Sequence, residues 1–298
     1  MKTHSQEILQ VITRSIDCIH PTALQKIRNY VQDRLSGSGG FLNRADNPDL
    51  YYTLFGLSCA FVLKQNLSLD ATLTWLNSFD LKILTLVDFS SLVKCLSIYS
   101  MIHNPEALFR KTCAIEAELS RFRTTDGGFS YTGSGESFPY AAFLAMNIYQ
   151  DISKPIPQPQ KLVSVLQGNQ QTDGRFSHPG CFSSGLLLST VAGLLIQRQL
   201  TGLTNDSAIK WIESQFTPAG GFKADPDAEL PDMLSTAVAL FALKVCKVNM
   251  APYRALAKNF VEDHWLDNGS FSATLLDEMG DCEYVYYGLL SLGALHDV

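Results

Sequence analysis

The strongest constraint on the fold of this chain is a short recurring phrase, a glycine turn that ends in phenylalanine. It occurs five times, ending at Phe41, Phe129, Phe176, Phe222 and Phe271. The intervals between these phenylalanines are 88, 47, 46 and 49 residues, and the first interval is about twice the others, which predicts a sixth unit with a degenerate turn near residue 85. A period of about 20 to 50 residues is typical of repeat proteins, in which no unit buries its apolar face alone.

Two kinds of helix are predicted around each turn. Segments after the turns are apolar nearly all the way round, which indicates buried inner helices at residues 49–64, 87–102, 138–150, 182–197, 232–247 and 282–296. Segments before the turns are amphipathic, which indicates outer helices at residues 24–35, 71–79, 106–122, 160–169, 207–216 and 253–264. A further helix is predicted at residues 5–18.

These helices predict an all-α protein, an (α/α)6 toroid in which six helical hairpins form a barrel with an inner and an outer ring. An open solenoid is disfavoured because it requires polar capping repeats that the sequence lacks. We expect one toroid domain over residues 1–298, with N-terminal helices in residues 1–36 and the repeat ring in residues 37–298.

The composition of the chain limits the kinds of partner that the protein is expected to bind. The formal net charge of −6 provides no basic surface for nucleic acid, and the chain is 46% hydrophobic. Seven cysteines without paired spacing, and no recognisable secretory leader, predict a reduced, cytoplasmic protein. The most apolar stretch, residues 186–196, is shorter than the roughly 20 residues of a transmembrane helix, so any membrane contact is expected to be peripheral.

The Gly-Gly-Phe turn followed by an apolar helix resembles the repeat of protein prenyltransferase β-subunits and of squalene and other class II terpene cyclases. Residues 165–176 look like the glutamine-rich repeat of the cyclases, with Phe176 in place of the usual tryptophan. The resemblance covers about residues 36–296. It implies an α/α barrel with an aromatic central cavity that holds an isoprenoid, and an enzyme that cyclises or transfers a prenyl or terpenoid substrate.

The prenyltransferase resemblance implies a zinc site that this sequence does not keep. The family's pattern has an Asp, a Cys two residues later and a His at the start of the sixth inner helix. Asp232 matches the Asp, but Leu234 and Tyr284 stand at the other two positions. Catalytic zinc needs three protein ligands, so zinc is not expected at these positions. A relocated zinc site formed by His178, Cys181 and Cys282 stays open as an alternative.

The cyclase resemblance implies a catalytic acid in the middle of the phrase D-x-D-D-T-A. The corresponding segment, residues 232–237, keeps Asp232, Thr236 and Ala237 but has Leu234 at the position of the acid. Leucine cannot donate a proton. A different carboxyl group is therefore required for cyclisation.

Alignment of the inner helices places Asp49, Asp88, Asp232 and Asp281 at one equivalent position near one rim of the cavity. Further carboxyl groups flank the last two, at Asp225, Asp227, Glu229, Asp277, Glu278 and Glu283. Like charges so close together raise the pKa of some members, which makes a proton donor near neutral pH. We predict catalytic roles for Asp232, Asp281 and Glu283, and substrate binding by Asp49 and Asp88. Two simpler roles remain open, helix capping and a solvated acidic rim.

Aromatic residues concentrate on the inner helices. Their faces stabilise carbocations and give a polyprenyl chain an apolar wall, although core packing explains them equally well. Substrate contacts are predicted for Tyr52, Tyr140, Tyr284 and Tyr287.

Three questions stay open at this point. Cyclisation and prenyl transfer are equally compatible with the sequence, and the cofactor is either none or Mg²⁺ held through a diphosphate. The competing function is a non-catalytic lipid-binding or protein-interaction module on the same toroid, with a helical protein as partner. Leu234 and Tyr284 at the two substituted positions favour that alternative.

Overall fold

The computed structural model describes residues 2–177 and 186–296, and these residues contain helices and isolated β-bridges without a strand. In chain order the α-helices are α1 (His4–Arg14), α2 (Pro21–Asp33), α3 (Leu50–Val62), α4 (Asp70–Asn77), α5 (Leu86–Ile102), α6 (Glu106–Phe109), α7 (Thr112–Leu119), α8 (Pro139–Asp151), α9 (Pro159–Asn169), α10 (Leu186–Thr201), α11 (Asp206–Ser214), α12 (Met233–Val245), α13 (Ala251–Asp263) and α14 (Cys282–Leu295). Short 3-10 helices occupy Ser15–Cys18 and Ser120–Phe122.

Six of these helices close into an inner ring. In the order α3, α5, α8, α10, α12 and α14, each contacts the next, and α14 contacts α3. Helices α2, α4, α9, α11 and α13 pack against the outside of this ring. The closed cycle confirms the predicted α/α toroid. None of the helices in residues 2–177 and 186–296 is long and apolar enough to cross a lipid bilayer.

The recurring turns have a common backbone geometry. The first glycine, or the only one, in each turn has a φ angle between +90° and +102°, a region that side chains rarely adopt. An isolated bridge closes each turn, as between Leu35 and Phe41 or between Trp265 and Phe271. The phenylalanine that ends each turn is almost fully buried. The glycines are thus required by the chain reversal, and each turn delivers one large apolar side chain to the core.

A threonine on the inner helix fixes three of these phenylalanines. The backbone N–H of Phe222 donates to Thr236 Oγ1 at 2.9 Å, and equivalent bonds join Phe41 to Thr53 and Phe176 to Thr190. Thr236, which the sequence shares with the cyclase phrase, is therefore engaged in holding a turn.

The second hairpin departs from the pattern. Helices α4 and α5 form the sixth unit expected near residue 85, but residues 78–85 connect them without a glycine turn. The predicted outer helix at residues 106–122 is also divided, into α6, α7 and the second 3-10 helix. The number of repeat units was predictable from the sequence, whereas the lengths of the segments that join their helices were not.

Helix α1 lies across the end of the ring at which the inner helices finish. The N–H of His4 donates to Gln150 on α8 at 2.9 Å, and Arg198 on α10 pairs with Glu7 at 3.1 Å. A Cβ atom on Gly293 of α14 would lie 1.9 Å from the carbonyl oxygen of Val11, so α1 and α14 are in close contact. We call this end of the ring the floor, and the end at which the inner helices begin the upper end.

Candidate active site

Three of the four aligned aspartates begin inner helices at the upper end. Asp49, Asp232 and Asp281 are the N-caps of α3, α12 and α14, and each carboxylate accepts a backbone N–H three residues later at 2.7–3.1 Å. Asp88 is different, because Thr85 is the N-cap of α5 and Asp88 lies within the first turn. The expected equivalence of Asp88 with the other three is therefore wrong, since α5 begins earlier relative to its aspartate.

Arg44 reorganises the acidic cluster around Asp281. Its guanidinium donates to Asp281 Oδ2 at 2.6 Å and to Asp277 Oδ2 at 2.8 Å, and it lies 5.4 Å from the ring centre of Tyr284. Burial acts to raise the pKa of Asp277, but the Arg44 hydrogen bond and nearby backbone N–H groups outweigh it, so this pKa is lowered. Both oxygens of Asp281 are then engaged, one by Arg44 and one by the helix cap.

Glu283 is the carboxyl group at the upper end with the properties of an acid. It is 7% exposed, and Tyr51 donates its hydroxyl to Glu283 Oε1 at 2.6 Å. Burial raises the pKa of Glu283 to about 7, and the charge of Asp281 acts in the same direction, while the Tyr51 hydrogen bond and Arg44 partly oppose the shift. Near neutral pH both protonation states of this carboxyl group are therefore populated.

Asp232 shares one of these properties. Burial raises its pKa, although hydrogen bonds from the backbone of α12 and from Ser235 act against the shift. Its Oδ1 atom accepts the N–H of Ser235 at 2.7 Å. The other carboxyl groups of this sector differ, because Asp227, Glu229 and Glu278 are exposed.

An aromatic cluster adjoins Glu283. The rings of Tyr51 and Phe55 meet edge to face at 4.8 Å between centres, Phe55 meets Tyr286 at 5.1 Å, and Tyr286 meets Tyr287 at 5.4 Å. Burial raises the pKa of Tyr51, Tyr286 and Tyr287. These phenols therefore stay neutral at physiological pH and present uncharged aromatic faces.

A central cavity extends from this cluster to the floor. Its volume is about 140 Å³, counted as the space open to the centre of a water molecule, and side chains from all six inner helices and from α1 line it. The apolar wall includes Leu54, Phe55, Phe143, Leu144, Val191 and Leu195. The polar lining includes Ser90 and Ser91 on α5 and, toward the floor, Ser5, Lys94 and Asp151.

The predicted substrate contacts divide into two groups. Tyr140 and Tyr287 line the cavity, as does Tyr51, the hydrogen-bond partner of Glu283. Tyr284 instead stacks near Arg44, and the ring of Tyr52 packs edge to face against Tyr51 at 5.8 Å. Sequence reasoning missed Arg44 and the floor residues, because no motif marks an arginine in a loop or a lysine on an apolar helix.

The residues at the prenyltransferase zinc positions do not fit zinc. Leu234 has no donor atom, and Tyr284 is a neutral phenol beside Arg44, its pKa raised by burial. Within residues 2–177 and 186–296, no three His, Cys, Asp or Glu side chains are placed to hold a metal ion. Of the alternative ligands, His178 and Cys181 lie outside the described residues. Cys282 is buried, and burial raises the pKa of its thiol.

A closed ring of six inner helices around an apolar cavity defines the α/α toroid class of proteins. The family model of the prenyltransferase alpha-alpha toroid domain matches residues 5–87 and 185–298, and the chain belongs to this family. Comparison with curated proteins gives no significant match.

Similar solved structures share the fold at low sequence identity. An aspartate-to-alanine variant of the type II terpene cyclase MstE from Scytonema, in complex with the product merosterolic acid A, aligns with a TM-score of 0.61, 12% identity and 97% coverage of both chains. An aspartate-to-asparagine variant of the same enzyme, in complex with the substrate geranylgeranyl dihydroxybenzoate, gives a TM-score of 0.60, also with 12% identity and 97% of both chains covered. The GH76A alpha-1,6-mannanase from a Salegentibacter species gives 0.61, with 13% identity over 92% of this chain and 98% of that one. Such likeness shows a common fold alone.

Proposed function

We propose that this protein is an isoprenoid-metabolism enzyme of the terpene-cyclase type and that Glu283 is its general acid. One observation carries the proposal. Glu283 is a buried carboxyl group with a pKa of about 7, and it accepts a hydrogen bond from Tyr51, whose side chain lines the central cavity. A group whose pKa lies near the working pH combines a large protonated fraction with the ability to give up its proton, which suits general acid catalysis.

The proposed reaction is a proton-initiated cyclisation. The O–H of Glu283 transfers its proton to one carbon of an alkene in the bound isoprenoid, and the π electrons form the new C–H bond and leave a carbocation. A second alkene of the same molecule attacks this cation and closes a ring. Loss of a proton from the ring cation to a base gives a cyclic isomer, so the reaction needs no oxidant or reductant.

The side chains around Glu283 have defined tasks in this proposal. Tyr51 donates to the carboxylate that remains after proton transfer, which stabilises the developing negative charge. The faces of Phe55 and Phe143 in the cavity wall stabilise the positive charge on the substrate. Tyr140 and Tyr287 hold the hydrocarbon, and Tyr52 and Tyr284 pack behind this wall.

Asp281 and Asp232 keep secondary catalytic tasks. The charge of Asp281 helps to raise the pKa of Glu283, and Arg44 and the cap of α14 hold it in place. Asp232, whose pKa burial also raises, is the second candidate for the acid. Asp49 and Asp88 lie at the same end of the ring, and substrate binding by them stays a prediction.

The class of substrate follows by analogy. The MstE structures hold geranylgeranyl dihydroxybenzoate as substrate and merosterolic acid A as product, and an apolar cavity lined by aromatic rings suits an isoprenoid, here one of shorter chain. We also propose a cytoplasmic setting, because all six cysteines in the described residues are free thiols. Prenyl transfer is the less favoured reaction because two of the three zinc ligands are replaced, by Leu234 and Tyr284.

The test replaces Glu283 by glutamine. Purified protein is incubated with geraniol, farnesol, geranylgeranyl diphosphate or squalene, and cyclic products are measured by gas chromatography and mass spectrometry. We expect Glu283→Gln to reduce turnover at least about 100-fold, the usual contribution of a general acid. The matched control is Glu278→Gln, because this neighbouring glutamate is exposed. Equal turnover in the Glu283→Gln variant and the wild type would refute the assignment.

Binding without catalysis is the second candidate function. It is favoured by Leu234, which stands where the cyclases have their acid, and by Tyr284 at a position of the prenyltransferase zinc site. In that case an isoprenoid should copurify with the protein and be found by mass spectrometry, while none of the four probes is converted.

A further inference from the structure

The floor of the cavity carries a polar cluster that a pure hydrocarbon does not require. Lys94 Nζ donates to Ser5 Oγ at 2.7 Å and lies 3.6 Å from Asp151 Oδ2. Ser5 Oγ is 3.2 Å from the same carboxylate oxygen. The Lys94 side chain is 16% exposed and that of Asp151 is 3% exposed. All three residues line the cavity, so a molecule in the cavity would lie next to two charged side chains and a hydroxyl group that are largely shielded from water.

A second, independent observation points to a polar ligand. Ser90, one helical turn before Lys94 on α5, also lines the cavity. Its Oγ atom is buried and has no hydrogen-bond partner among the described residues. Buried hydroxyl groups are nearly always hydrogen-bonded, and an unpaired one costs free energy. A ligand with its own hydroxyl group would relieve this deficit on the face that also carries Lys94.

The charges at the floor favour an uncharged polar group on the ligand over an anionic one. Lys94 and Asp151 cancel each other, and the nearby pair of Arg198 and Glu7 is also balanced. An anionic head group would gain one ammonium but meet the carboxylate of Asp151 in a poorly screened site. A hydroxyl group can accept from Lys94 and donate to Asp151 at the same time, so it satisfies both partners.

The volume sets the length of the hydrocarbon. A cavity of about 150 Å³ holds a six-carbon ring such as benzene, and the volume here is about 140 Å³. That space matches about one five-carbon isoprene unit with the wall at rest, so each further unit has to displace wall side chains, and a molecule with four units would have to displace most of the wall.

We propose that the cavity binds a prenyl alcohol of two isoprene units, the fewest that provide a second alkene, with its hydroxyl group beside Ser90, Lys94 and Asp151 and its alkene end toward Tyr51 and Glu283. This inference rests on the proposed function, because it places the alkene at the acid. The ligand would then bind in one orientation, with its polar group bound at the floor and its alkene next to the proton donor at the upper end.

The test compares ligands that differ in one group. Geraniol, geranic acid, geranyl diphosphate and the hydrocarbon that is geraniol without its hydroxyl group are titrated into the protein by isothermal titration calorimetry. We expect geraniol to bind about tenfold more tightly than each of the other three, as one satisfied hydrogen-bonding group implies. Tighter binding of geranyl diphosphate or geranic acid, or no binding of geraniol, would overturn the proposal.

A variant then locates the hydroxyl group. Lys94→Met should weaken geraniol binding about tenfold while binding of the hydrocarbon changes little, because methionine keeps the length of the side chain. The hydrocarbon thus also reports whether the variant is folded. The control is Lys154→Met, whose lysine pairs with Glu116 away from the cavity. Equal weakening of both ligands would show that Lys94 only supports the structure, and the proposal would fail.

Length and catalysis are tested separately. Geranylgeraniol should compete with geraniol at least about tenfold more weakly than farnesol does, and stronger competition by the longer alcohol would contradict the size argument. Glu283→Gln should still bind geraniol. If that variant also kept full turnover, the acid assignment would fail while the binding inference stood.

Discussion

Two buried carboxyl groups at opposite ends of the central cavity have opposite surroundings. At the upper end, Glu283 receives a hydrogen bond from a neutral phenol, and the nearby cation, Arg44, is engaged by Asp277 and Asp281. At the floor, Asp151 has the ammonium of Lys94 at 3.6 Å. Burial favours the neutral form of a carboxyl group unless a cation compensates for the lost water. Burial alone therefore does not identify a carboxyl group as a candidate general acid. The cations that surround the group have to be considered as well.

The comparison predicts that removing the charge at the floor is costly. Asp151→Asn leaves the ammonium of Lys94 without its counter-ion in a mostly buried position, and breaking such a pair destabilises a protein by about 3 kcal/mol or more. We expect urea unfolding to show a loss of this size for Asp151→Asn at pH 7.

A surface ion pair provides the control for this prediction. Asp173 pairs with Arg175 at 2.9 Å, but both side chains are more than a third exposed. Asp173→Asn should change the free energy of unfolding by less than about 1 kcal/mol. Similar losses in the two variants would remove the distinction between a buried pair at the floor and an ordinary surface pair.

Removing the charge at the upper end should have the opposite effect above neutral pH. The pKa of Glu283 rises from 4.5 to about 7 on folding, so the folded state binds this proton more tightly than the unfolded chain does. The resulting stabilisation is complete below about pH 4.5 and is lost as the pH rises through about 7. A shift of this size corresponds to about 3 kcal/mol in the free energy of unfolding. Glu283 is buried, so solvent does not screen most of this contribution.

Glu283→Gln tests this directly, because glutamine does not ionise and can still accept the hydrogen bond from Tyr51. Unfolding free energies of the variant and the wild type are measured from pH 4 to pH 8. From pH 4 to pH 8, the free energy of unfolding of Glu283→Gln should rise by about 3 kcal/mol relative to that of the wild type. Glu278→Gln, whose side chain is exposed, should show no such change. Parallel pH curves for wild type and Glu283→Gln would show that the carboxyl group is ionised at neutral pH.

The sequence predicts the ring and one of these two carboxyl groups. The recurring turns determine the architecture, because positive-φ glycines and buried phenylalanines are local requirements that recur in every unit that has the turn. Glu283 is found because it lies beside an aligned helix start. The floor is not predictable in the same way, since Lys94 and Asp151 belong to different helices and α1 joins them only through tertiary packing.

The same limit explains Asp281 and Arg44. A run of carboxyl groups predicts mutual repulsion, but the cation that relieves it comes from a loop 237 residues away in the chain. Charge clusters read from sequence give the members of a site, whereas their ionisation depends on partners that only the fold brings together.

The smallest predicted effect separates helix caps from other acidic residues at the upper end. Asp49 accepts the N–H of Tyr52 at 3.1 Å and caps α3, while the cap of α5 is Thr85 and not Asp88. Asp49→Ala should cost about 1 kcal/mol of unfolding free energy. Asp88→Ala should cost only a few tenths of a kcal/mol, the contribution of an acidic side chain to the first turn of a helix. Thermal unfolding at pH 7 distinguishes them. An equal loss in both variants would mean that interaction with the helix dipole, rather than the cap hydrogen bond, accounts for these conspicuous aspartates, and that Asp49 and Asp88 form one class after all.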